Sequence, residues 1–100
     1  MFLDLFSIIK QNGNEATIKL ADADHPLFQA HFPGNPLLPG FMHLEIASIL
    51  FKIHFTKIKK AKFNRPVGPG SELKYLYSER KSGMKITVYD QNVVVSEILL

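Results

Sequence analysis

Three residues within one short stretch carry the means for acid–base chemistry beside a carbonyl. His31 opens the run His31-Phe32-Pro33-Gly34-Asn35-Pro36-Leu37-Leu38-Pro39-Gly40, and Glu45 follows 14 positions after the histidine. A histidine supplies a base that titrates near neutral pH. A carboxyl on an apolar helix is a candidate acid, because burial keeps it protonated. Gly40 stands where a helix should begin, so its N–H is one of the donors a helix leaves free and can meet an oxyanion. That end of a helix also favours negative charge, as on an enolate-like oxygen. Pro33, Pro36 and Pro39 stiffen the loop and hold the histidine in place before reaction. Residue types alone leave two plainer readings open. His31 could serve only as a structural hydrogen-bonder, and Glu45 could be a solvated charge in line with Ser48 and Lys52.

The surrounding elements must position these groups. Residues 2–9 (FLDLFSII) read as a strand, Gln11-Asn12-Gly13-Asn14 as a turn and Glu15 to Ala21 as an alternating return strand, which makes a hairpin. Asp22 to Gly40 contains four prolines and two glycines, and no regular element is expected there. The segment is still apolar, with Leu27, Phe28, Phe32, Leu37 and Leu38. A long, stiff, apolar loop usually serves function. Phe41 to Phe55 has the pattern of a helix. Met42, Ile46, Ile49, Leu50 and Ile53 form one face, and Phe41, Leu44, Ala47 and Phe51 nearly close the ring, so burial on most sides is expected. Strands are expected at 57–67, Glu72 to Lys81, Met84 to Tyr89 and Val93 to Leu99, with turns at Ser82-Gly83 and Asp90-Gln91-Asn92. The sum is an α+β fold, an antiparallel sheet of about six strands around one long central helix.

Composition bounds the rest. One hundred residues suit a single domain over 1–100. With no cysteine, a disulfide framework, a thiolate zinc site and a cysteine nucleophile are excluded. No spacing of carboxylates and histidines suggests a metal site. His25 reads as a loop residue near the surface, and His54 as a cation at a helix C-terminus. The most apolar window, Phe41 to Phe55, is 15 residues long and contains His43, Glu45, Lys52 and His54, too short and polar to span a bilayer. Without an export signal, the cytoplasm is the expected compartment. The net charge is +3, yet Lys52, Lys57, Lys59, Lys60, Lys62 and Arg65 fall together, and the rest of the chain sums to −3. Such a zone is either a lysine-guarded edge strand or a dock for an anionic partner. Only Phe63 interleaves the strand, which argues against nucleic acid.

The stretch HPLFQAHFPGNPLLPGFMHLE, from His25 to Glu45, resembles the active-site segment of the hotdog-fold 3-hydroxyacyl-acyl carrier protein dehydratases. Their signature is His-Phe-Pro-Gly-x-Pro-(Ile/Leu/Val)-(Met/Leu)-Pro-Gly with an acid 14 positions after the histidine. A second run, Lys62-Phe63-Asn64-Arg65-Pro66-Val67-Gly68-Pro69-Gly70-Ser71-Glu72-Leu73, is similar to another segment of that family. Together the two cover about a third of the chain. The resemblance implies a hotdog fold and a homodimer with sheets paired edge to edge and two shared active sites. It implies dehydration of a 3-hydroxyacyl thioester to the trans-2-enoyl thioester, in fatty-acid or related lipid or polyene synthesis. His31 would abstract the C2 proton, and Glu45 of the second protomer would protonate or position the leaving hydroxyl. The Gly40 N–H would bind the thioester carbonyl, with Phe32, Pro39 and Phe41 around the substrate. No cofactor is implied beyond the phosphopantetheine arm of acyl carrier protein. That acidic carrier would dock on Lys57, Lys59, Lys60, Lys62 and Arg65, and neither nucleic acid nor membrane insertion is implied. Two positions depart from the family pattern: Ile49 where a glutamine is usual in the dehydration-only branch, and His43 where an apolar residue is common. The alternatives are a hotdog acyl thioesterase and a carrier-binding paralogue with a degenerate site.

Overall fold

In a computed structural model that describes residues 4–54 and 56–100, alternation in the sequence becomes a sheet with one buried face. β1 (Phe6–Asn12) and β2 (Glu15–Leu20) form the opening hairpin. Then come α1 (Pro26–Ala30), α2 (Phe41–Phe51), β3 (Lys60–Phe63), β4 (Glu72–Arg80), β5 (Gly83–Asp90) and β6 (Val93–Leu99). The six strands make one sheet in the order β1-β2-β4-β5-β6-β3, with every neighbouring pair antiparallel. Register places Ile18 beside Leu73, Ala16 beside Tyr75, Tyr75 beside Val88 and Ile86 beside Ile98. These side chains and Met42, Ile46, Ala47 and Leu50 of α2 form one buried cluster. Each large aliphatic side chain buried in this way contributes about 1.5–3 kcal/mol.

Five expectations need correction. The first strand starts at Phe6 and runs through Asn12, so its turn narrows to Gly13-Asn14; residues 2 and 3 lie outside the described residues. The proline-rich segment does hold a helix, α1. Pro26 sits in its first turn, where a missing N–H costs nothing, and His25 caps it. The central helix ends at Phe51, because Lys52 turns left-handed (φ 54°) and the N–H groups of Lys52 and Ile53 both reach the Ser48 carbonyl. Gln11 Nε2 donates to the Leu50 carbonyl at 2.6 Å, which satisfies another group of that last turn. Phe55, the expected last helical residue, lies outside the described residues, and His54 lies beyond the helix. The strand expected at 57–67 shrinks to β3, since β6 pairs with it only from Ser96 to Leu99. Past Phe63 the N–H groups of Asn64 and Arg65 both turn to the Val95 carbonyl, and Pro66 has none to offer.

The fifth correction concerns burial. α2 is apolar nearly all round, yet one face is open. Phe41 is 60% exposed and Ile49 42%, and Glu45 between them faces solvent. A single sheet covers only one side of a helix. β1 and β3 are the two edges, and every residue of β3 is exposed.

Candidate active site

His31 is held by the short helix before it. His25 Nδ1 accepts the Leu27 N–H at 3.0 Å, so that ring nitrogen carries no proton. Its Nε2–H is left to donate to Asp4 Oδ1, also at 3.0 Å. His25 is 9% exposed, a buried cap rather than a surface loop residue. At the other end of α1, the His31 N–H donates to the Leu27 carbonyl at 3.0 Å, and His31 Nδ1 lies 3.2 Å from the same oxygen. A carbonyl only accepts, so Nδ1 carries the hydrogen there. The neutral ring then presents Nε2 as its lone pair, the form a base needs.

The loop after His31 is pinned at both sides. Phe32 and Asn35 exchange two backbone hydrogen bonds, at 3.2 and 2.8 Å, across Pro33 and Gly34. Gly34 has φ 78°, the conformation that this turn demands of its third residue and that glycine adopts without strain. The Leu37 N–H then donates to the His31 carbonyl at 2.8 Å, and the Leu38 N–H to the Val67 carbonyl at 2.7 Å. Val67 belongs to the second motif, so the two motif segments meet in space. That segment is itself braced by Ser71 Oγ on the Gly68 carbonyl and by the Gly70 N–H on the Ala21 carbonyl.

Gly40 opens α2 with ordinary helical angles, φ −55° and ψ −40°. Its lack of a side chain matters for space. A Cβ there would lie 2.9 Å from Phe63 Cγ. The N–H groups of Gly40 and Phe41 donate to no backbone carbonyl among the described residues, while the carbonyls of Pro39 and Gly40 accept from Met42 and His43. The Phe63 ring also stacks on His43, with centroids 6.5 Å apart and planes at 24°. His43 is 3% exposed, and its Nδ1 shares a hydrogen bond of 2.7 Å with the Tyr75 hydroxyl. Burial lowers its pKa to about 4 and raises that of Tyr75. The sequence placed His25 in a surface loop and marked His43 only as a departure from an apolar position, and it gave neither a buried partner. A buried histidine needs a polar partner, and the apolar neighbours of each were the available signal. Gly40→Ala is expected to push the Phe63 ring aside, lowering stability by about 1–3 kcal/mol. Urea unfolding with unchanged midpoint and slope would contradict that contact.

Glu45 is exposed, and its backbone carbonyl accepts from Ser48 Oγ at 2.7 Å. The burial expected to keep it protonated is not supplied by its own chain. It lies about 6 Å along the helix axis from Phe41, on the same open face. Among the described residues the ion pairs are His25–Asp4 and Lys85–Glu97, so none joins His31 to Glu45. Phe32, Phe41 and Phe63 are all more than half exposed.

The basic residues do not form one patch. Lys60 and Lys62 of β3 line a cleft of about 140 Å³ with Arg80, Lys85, Glu97 and Leu99. The Lys59 ammonium donates to the Ser82 carbonyl, and Lys57 is exposed ahead of the strand. Arg65 stands apart, in a separate cleft of about 640 Å³ that it shares with Glu72 and Asp90. Neither cleft includes His31, Gly40 or Glu45. Arg80 and Lys85 were missed because they join the lysines only through pairing: Leu99 lies opposite both Lys60 and Lys85. Among the described residues no three histidine, aspartate or glutamate side chains gather to hold a metal ion, and no helix is long and apolar enough to cross a membrane.

Comparison with known proteins places this arrangement. A relative from Sulfurimonas denitrificans, named 3-hydroxyacyl-(acyl-carrier-protein) dehydratase FabZ, is 32% identical over 119 aligned positions, covering 100% of this chain and 80% of its own. One of the same name from Chloroflexus aggregans is 36% identical, covering 81% of this chain and 70% of its own. The solved dehydratase heterocomplex ApeI:P from Xenorhabdus doucetiae matches with a TM-score of 0.68 and 28% identity, over 93% of each chain. The sheet and its helix are thus the hotdog fold. The model of the ApeI-like dehydratases matches residues 8–97, and with nearly its whole length inside that match the chain belongs to the ApeI-like dehydratase family.

Proposed function

We propose that this chain removes water from a 3-hydroxyacyl thioester carried on acyl carrier protein, yielding the trans-2-enoyl thioester. One observation carries the reading: α1 holds His31 with its Nδ1 hydrogen on the Leu27 carbonyl, at the head of the loop that leads to the free N–H groups of α2. In this reading His31 Nε2 takes the proton from C2. Electrons pass through the thioester carbonyl, whose negative oxygen meets the Gly40 N–H. The C2=C3 double bond forms as the C3–O bond breaks, and the hydroxyl leaves as water with a proton from Glu45. Phe32, Pro39 and Phe41 border the path of the acyl chain. No cofactor enters the sequence of steps, and the cytoplasm is the compartment the reading implies.

The open face of α2 supports a homodimer. Glu45 faces water in the single chain, and Phe41 and Ile49 beside it are apolar. A second protomer covering that face would bury the carboxyl and bring it to the first protomer's His31. The second reading is a carrier-binding paralogue that has lost turnover. Ile49 favours it, since it cannot make the hydrogen bonds of the glutamine usual there. Incubation with 3-hydroxyacyl carrier-protein substrates of graded length, followed by mass spectrometry, separates these. Loss of 18 Da with the thioester intact is the expected result. Release of free thiol would mean a thioesterase, and binding without product would mean the degenerate paralogue.

The lysines of β3 are proposed to receive the acidic carrier. Lys60→Glu with Lys62→Glu is expected to raise KM for the carrier-bound substrate about tenfold or more, with kcat held, and to leave a pantetheine thioester unaffected. Equal losses on both substrates would remove this face from docking.

A further inference from the structure

We propose that Asp4 and His25 are positioning residues that set the orientation and tautomer of His31 through Leu27. The inference rests on reading His31 as the base. It is carried by hydrogen bonds that converge on one residue. Asp4 Oδ1 takes the Nε2–H of His25 at 3.0 Å, which leaves His25 Nδ1 as an acceptor. That nitrogen takes the Leu27 N–H at 3.0 Å. On the far side of the same Cα, the Leu27 carbonyl takes the His31 N–H at 3.0 Å and the ring Nδ1–H at 3.2 Å. Leu27 is thereby tied at both its N–H and its C=O. Its side chain is 6% exposed, and Phe28 meets the His25 ring edge-on at 6.5 Å, so the unit is also packed.

Length makes these ties matter. α1 has five residues, and so short a helix has little stability of its own. Its position depends on what holds its ends. If the cap opens, Leu27 is free to turn, and its carbonyl no longer lies opposite His31 Nδ1. The ring would then exchange between tautomers, and part of the population would present a hydrogen at Nε2 where a lone pair is needed. Asp4 acts one step further out. Without it only the Leu27 N–H keeps the hydrogen off His25 Nδ1, and a ring that took the other tautomer would set a hydrogen against that N–H. The carboxyl of Asp4 is held below its ordinary range chiefly by this bond to His25, which agrees with the donor direction.

Imidazole nitrogen spectra of 15N-histidine-labelled protein test the link directly, with the His31 signals identified from their absence in His31→Gln. In the native chain, Nδ1 of His31 should resonate as the protonated nitrogen and Nε2 as the bare one. His25→Ala should bring the two shifts together and lower kcat ten- to a hundredfold, with a smaller change in KM. His25→Asn keeps an oxygen that can accept the Leu27 N–H, and should restore both the shifts and most of kcat. Asp4→Ala, at an exposed site, should give an intermediate effect of several-fold even if His25→Ala folds poorly. Unmoved His31 shifts in the alanine variants, or an asparagine variant no better than alanine, would overturn the inference. Native protein that dehydrates normally while the shifts stay unmoved defeats this inference alone. Shifts that move as described in a protein without dehydratase turnover defeat the reading of function and leave the positioning link standing.

Discussion

His31→Ala should lower kcat for a 3-hydroxyacyl thioester about a thousandfold, with KM little changed and the fold retained. The side chain is half-buried and makes one hydrogen bond, to a carbonyl at the surface of α1. Its loss therefore costs about 1 kcal/mol of stability at most, while the proposed reaction would lose its base. Glu45→Gln keeps the shape of the acid and removes its proton, and should fall to a similar level. The two losses should not add, because one step needs both groups. Mixing the variants gives the sharper result. If each site joins His31 of one protomer to Glu45 of the other, a mixed dimer contains one intact site and one doubly damaged site. A refolded equal mixture should then recover about a quarter of native turnover. Two groups acting within one chain would recover nothing. Enoyl-thioester absorbance follows both experiments.

The second large effect lies in acid stability. His43 has a pKa lowered from 6.5 to about 4 by burial. Between those values the unfolded chain binds a proton that the folded chain refuses. Stability is therefore complete above pH 6.5 and is lost as pH falls towards 4. The span corresponds to about 3 kcal/mol, since each pKa unit is worth about 1.4 kcal/mol. For a chain of this size that is a large share of the total. His43→Leu with Tyr75→Phe replaces the hydrogen-bonded pair by apolar groups and should flatten the loss over this range. The single His43→Leu would strand the Tyr75 hydroxyl in the core and start lower at pH 7, by about 1–3 kcal/mol. Urea unfolding at pH 7 and pH 4.5 measures both. Equal acid losses in native protein and double variant would show that another group governs the transition. Asp4 and Glu97, held low chiefly by their bonds to His25 and Lys85, give up their share only further into acid.

How much of this was legible follows from distance along the chain. His31, Gly40 and Glu45 could be picked out because the loop, the helix start and the acid are contiguous in sequence. The strands of the sheet could be placed because alternation is local. What escaped was mostly pairing at long range. His25 meets Asp4 across 21 positions, and His43 meets Tyr75 across 32; nothing in the four residue types joins them. The end of α2 escaped for a similar reason, since Gln11 from β1 helps to complete its last turn. β3 was drawn too long because strand length depends on the partner, and β6 ends the ladder. α1 was hidden by a rule applied too widely. Proline breaks a helix from within but is welcome in the first turn, where Pro26 lies. The burial of α2 was legible as a need for cover, but an apolar face does not say whether its own sheet supplies that cover, and here Phe41 and Ile49 are left open.

Phe63 belongs to two structures at once. It is the last residue of the edge strand β3, and its ring lies against Gly40 and His43 at the head of α2. The sheet edge and the head of α2 therefore share one side chain. A strand laid along β3 would hold that ring and, with it, the N–H groups at the head of α2. Self-association through this edge would then tune catalysis without adding an atom to the reaction centre. Specific activity would rise with protein concentration and level off where the edge is filled.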